Sequence, residues 1–95
     1  MENKDVYLKK AQAQLDQLGA EVDKLKAKAD SAKPDARASY QEHLKTLHEK
    51  QDAAKMRLRQ LKDAGDENFE DMKANADRAA QEFGSSLQEA RGRFN

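Results

Sequence analysis

The sequence predicts an all-α protein, an antiparallel coiled-coil three-helix bundle, and three observations carry that prediction. Apolar residues recur at alternating steps of three and four along nearly the whole chain. Two breaks, at Pro34 and Gly65, divide its 95 residues into three nearly equal parts. The composition is 38% charged, 37% apolar and 5% aromatic, the balance of long helices and coiled coils rather than of a thick globular core. One helical domain over residues 1–95 follows, with helices at about 4–32, 35–64 and 66–93.

The first segment carries Leu8, Ala11, Leu15, Leu18, Val22, Leu25, Ala29 and Ala32 without a missed step. A seven-residue repeat lies along one side of an α-helix, and its apolar stripe needs a partner helix to cover it. Lys, Asp, Gln and Glu fill the positions between, so the stripe is narrow. The second segment carries Tyr40, Leu44, Leu47, Gln51, Ala54, Leu58 and Leu61 at the same spacing. The third carries Phe69, Met72, Ala76, Ala79, Phe83, Leu87, Ala90 and Phe94, with one step of four followed by another at Phe83. Each helix is expected to run for roughly 43 Å.

At the first break, proline disfavours helix in the residue before it but suits the first turn of a new helix. At the second, Gly65 is expected to end a helix and Asp66 to cap the next. Folding back at both breaks matches the seams. Leu25 then meets Leu44, Val22 meets Leu47, Leu18 meets Gln51 and Leu15 meets Ala54, while Leu61 meets Phe69, Ala54 meets Ala76 and Leu47 meets Phe83. Charge agrees. Residues 1–33 hold seven basic and six acidic side chains, residues 34–65 seven and five, and residues 66–95 four and seven. Basic residues flanking the second seam, Lys50, Lys55, Arg57 and Lys62, suit packing against an acidic third helix. The alternative is one long kinked helix through Pro34, about 90 Å long, with a shorter return helix and an oligomeric state to cover the first seam.

No catalytic, metal-binding or phosphate-binding constellation appears, so no enzyme activity and no cofactor are expected. His43 and His48 are the only histidines; Tyr40 and Lys45 occupy the positions where a di-iron bundle needs glutamate, and both histidines read as boundary residues. Gln51 is a polar residue on a seam. It either fixes register or marks a wet, narrow stretch facing Ala54 and Ala79. The run from Lys55 to Lys62 is basic, but it lacks stacking aromatics and adjoins Asp63, Asp66 and Glu67, so a solvated face is expected rather than a nucleic-acid site. Ala13, Ala20 and Ala27 form a small-residue stripe on the back of the first helix. The third helix is the most hydrophobic and is assigned to the core, although an amphipathic helix of this kind can also lie on lipid.

The zero net charge gives no global steering toward polyanions, and the absence of cysteine excludes disulfides and Cys-based zinc sites. The opening MENKDVYLKK has no apolar run, and no stretch reaches the roughly 20 apolar residues of a membrane span, so a cytoplasmic location is expected.

The sequence resembles a family of small bacterial coiled-coil proteins of about a hundred residues often labelled stress-response proteins. The resemblance covers most of the chain and rests on Asp5-Val6-Tyr7-Leu8-Lys9, Lys24-Leu25-Lys26-Ala27-Lys28-Ala29, Ala36-Arg37-Ala38-Ser39-Tyr40 and Phe69-Glu70-Asp71-Met72-Lys73. It implies a cytoplasmic, non-enzymatic role associated with stress. Action through protein–protein interaction or shielding is expected, with another protein or a second copy as partner. A reversible lipid-surface protein and a self-assembling structural coiled coil are the alternatives. Neither nucleic acid nor a small-molecule substrate is expected.

Overall fold

The structure, a computed structural model, describes residues 4–93. Three helices follow in order: α1 (Lys4–Asp30), α2 (Pro34–Asp63) and α3 (Phe69–Arg93). They run up, down and up in a rod of 51 × 18 × 17 Å. A rod of that length holds one helix of 30 residues and excludes the 90 Å kinked helix. Pro34 is therefore a turn.

Both connections differ in detail from the sequence expectation. α1 stops two residues early, at Asp30, and its end tightens through a bond from Ala32 N–H to the Ala29 carbonyl. Lys33 is extended (φ −64°, ψ 152°) and stands at the N-cap of α2 with no side-chain cap, while Pro34 fills the first helical position. Arg37, one turn into α2, reaches back and donates to the carbonyls of Ala32 (3.1 Å) and Asp30 (3.5 Å). It thus satisfies acceptors that the end of α1 leaves open.

α2 ends at Asp63, and extended Ala64 (φ −72°, ψ 144°) rather than a left-handed glycine terminates it. Gly65 has no positive φ, so the turn does not use the freedom that glycine offers. Asp66 does not cap α3. It lies in a turn in which Asn68 N–H bonds Gly65 O and Phe69 N–H bonds Asp66 O, and α3 starts at Phe69. Met72 N–H makes the first helical bond to Asn68 O, which makes Asn68 the capping position.

The core is the seam. Leu15, Val22, Leu25 and Ala29 of α1, Leu44, Leu47, Ala54, Leu58 and Leu61 of α2, and Ala76, Phe83, Leu87 and Ala90 of α3 are buried, and no polar residue is buried with them among the described residues. Phe83 and Leu61 are fully enclosed, both at 0% exposure. Leu8, Leu18, Tyr40, Phe69 and Met72 are half-buried and pack on this cluster. Phe94 lies outside the described residues.

Replacing Lys33 with Ser supplies the missing N-cap acceptor. The expected gain is about 1 kcal/mol, or roughly 4–8 °C in Tm for a domain of this size, read by thermal denaturation. Gly65→Ala is expected to add about 0.4–1 kcal/mol in the same assay, because a β-carbon there meets nothing within 4 Å and the unfolded chain loses freedom.

Candidate interaction surfaces

The three helices hold one another unequally. α2 and α3 form the most extensive of the helix pairings. Phe83 and Leu87 of α3 and Leu47 and Leu61 of α2 belong to one continuous core. Ala54 and Ala76 line one cleft together, as the matched seams predict.

α1 is held differently on its two sides. Toward α2 it contributes the buried leucines and Val22. One polar contact interrupts that side: a β-carbon on Gly19 would stand 2.9 Å from Gln51 Nε2. The Gln51 amide thus lies against the one residue of α1 without a side chain, at the level where Leu18 and Gln51 were expected to meet. Gln51 is half-buried rather than enclosed.

Toward α3, side chains bridge rather than interlock. At the end near the α2–α3 turn, the Tyr7 hydroxyl donates to an Asp77 carboxylate oxygen. The Tyr7 ring meets Phe69 edge-on (centroids 6.2 Å apart, 83° between planes). Lys73 Nζ lies 4.9 Å from the Tyr7 ring centre and Lys4 Nζ 5.6 Å from that of Phe69, both within range of a cation–π attraction. Lys4 also donates to Ala64 O at 2.8 Å, tying the start of α1 to the end of α2. Fourteen residues further along both helices, Arg91 reaches Glu21 at 3.7 Å. Two heptads separate these bridges, roughly 21 Å of helix.

Between the bridges the α1–α3 seam is open. One cleft of about 240 Å³ runs from Tyr7 to Leu15 over Ala76 and Ala80, and a second of about 460 Å³ continues it past Leu18 to Glu21 over Ala80 and Gly84. Gln14 and Ala80 border both. Small residues on α3 leave α1 without knobs to grip over this stretch.

Of the seam residues predicted from sequence, Leu15, Val22, Leu25, Leu44, Leu47, Leu58, Leu61, Phe83 and Leu87 come together in the core. The bridges formed by Tyr7–Asp77 and Glu21–Arg91, and the Arg37 cap, were missed. Their signal lay in positions flanking the seams, which heptad reading passes over. His43 is half-buried and His48 exposed, and among the described residues no group of three or more metal-ligating side chains gathers. Ala13, Ala20 and Ala27 are exposed along the back of α1. No described helix is long and apolar enough to cross a membrane.

Phe83→Ala removes the largest enclosed side chain and is expected to cost about 3–5 kcal/mol in a urea titration, enough to unfold much of the population. Tyr7→Phe removes the Asp77 bridge of an exposed pair and should cost about 1 kcal/mol or less. No family model, no curated protein and no solved structure matches this chain.

Proposed function

We propose that this chain is a non-enzymatic, cytoplasmic interaction protein, associated with stress, that binds and shields other proteins by releasing α1 from an α2–α3 hairpin. The open α1–α3 groove is the observation that carries the reading. α1 is retained by three large buried side chains, Leu15, Val22 and Leu25, and by exposed or half-exposed bridges at its flank. A fully buried Leu or Val contributes about 1.5–3 kcal/mol, and exposed ion pairs contribute about 1 kcal/mol or less. α2 and α3 together carry Leu44, Leu47, Leu58, Leu61, Phe83 and Leu87, with the largest enclosed ring among them, and they form the most extensive helix pairing.

Elements with fewer buried apolar groups open at lower free energy than the whole domain. Lifting α1 uncovers an apolar stripe along the hairpin, and the released helix offers its own. Both stripes suit the apolar segments of a partly unfolded protein. The resemblance to small stress-associated coiled-coil proteins supports the same reading, and the extended Lys33 before Pro34 supplies the joint about which α1 would swing.

Hydrogen exchange followed by mass spectrometry is expected to show α1 amides exchanging well before those of α2 and α3. The protein should also slow aggregation of a thermally destabilised reporter. Ala11→Leu projects into the smaller cleft and is expected to hold α1 more tightly by about 1 kcal/mol, slowing its exchange and weakening reporter protection together. Uniform protection across the three helices, with no effect on the reporter, would refute the proposal.

A further inference from the structure

A different face carries charge that the bundle itself does not use. The start of α1 and the end of α2 border a cleft of about 800 Å³ floored by Leu8 and Leu58. Lys9 stands on one side, and Lys55, Arg59 and Lys62 stand on the other, at positions four and three apart on one side of α2. None of these four cations makes an ion pair or hydrogen bond with a described residue. The two carboxylates of the cleft, Asp5 and Asp63, both stand at its end toward the α2–α3 turn, leaving the rest of the rim basic. In a chain with no net charge, this local excess arises because the surplus acids are gathered beyond Gly65.

The second observation concerns apolar exposure. The only large hydrophobic side chains exposed among the described residues are Val6 (43%) and Met56 (60%). Each stands three residues before a rim cation, Val6 before Lys9 and Met56 before Arg59, and residues three apart are neighbours on a helix surface. Both apolar outliers among the described residues therefore neighbour cations of this cleft's rim.

We infer that this α1–α2 face docks reversibly onto an anionic lipid surface, with the four cations against headgroups and Val6 and Met56 entering the interface beside them. Four Lys or Arg brought together, three from α2 and one from α1, reach the cluster size that attracts an anionic bilayer. A nucleic acid would use the cations but gain nothing from Val6 or Met56, and the face has no aromatic ring on which bases stack. Lipid uses both features. The helices stay closed in this mode, so it stands apart from the release of α1.

The test is co-sedimentation of the full chain with vesicles of phosphatidylcholine alone or mixed with phosphatidylglycerol, at low and at physiological salt. Binding is expected to the mixed vesicles only and to fall with salt. The triple variant Lys55→Gln, Arg59→Gln, Lys62→Gln should bind on the order of a hundredfold more weakly, about fivefold for each cation removed. Lys24→Gln, Lys28→Gln, Lys33→Gln makes the same change in net charge on exposed positions away from the cleft and should bind as the parent does. Met56→Ser, which removes no charge and no buried side chain, should weaken vesicle binding while leaving the circular dichroism melt unchanged. The inference is overturned if the mixed vesicles do not sediment the protein at low salt. Equal weakening in the two triple variants, or no effect of Met56→Ser, overturns it too. So does binding of a single-stranded oligonucleotide, but not of vesicles, that the cleft variant abolishes.

Discussion

A stripe only two residues wide per heptad cannot cover itself, and every other feature of this protein follows from how that stripe is covered. Such a helix in isolation exposes a continuous apolar line with no broad face to bury against a sheet or a thick core. A chain of three such helices has two options, to recruit copies or to fold back on itself. Here the connections at Lys33–Pro34 and at Ala64–Asn68 place the three seams around one axis, and among the described residues thirteen buried ones, all apolar, make the core. Four of the thirteen are alanine, which sets how closely the helices approach and how little each level buries.

Narrow seams divide unevenly among three helices. The α2–α3 pair encloses the largest side chain, Phe83, and is the most extensive of the helix pairings. α1 receives a good seam on one side and a bridged, partly open one on the other. Polar bridges at Tyr7–Asp77 and Glu21–Arg91 orient α1 without burying much surface. Orientation without burial is the arrangement from which an element can leave and return.

The surfaces of the rod also differ. Positions outside the seam carry the charge, and sorting charge by segment makes one flank basic although the chain is neutral. The acidic third helix meets the basic second through contacts such as Lys50–Glu82 at 3.7 Å. Cations on the opposite side of α2 have no such partner. A neutral protein thereby carries a local field that composition hides, and within a Debye length that local field acts on a partner.

Much of this was legible in the residues. Spacing alone marked the three helices, their seams and the pairings of Leu15 with Ala54 and Ala54 with Ala76, because side-chain direction along a helix repeats with a fixed period. The breaks at Pro34 and Gly65 were placed for local reasons, and both are turns. The chain by itself did not decide between a fold-back and a kink at Pro34. Proline at the first position of a helix is compatible with either, and the choice rests on the energy of covering α1 against α2, which is non-local. The capping expectation at Gly65 and Asp66 failed for a similar reason: with Lys4 bonded to Ala64 O, the α2–α3 connection is tied to α1, and Asn68 takes the cap. Sequence periodicity thus determined which residues face inward. Only the tertiary structure decided which seam is tight and which is open, because that depends on small residues of two helices falling at the same level across the bundle.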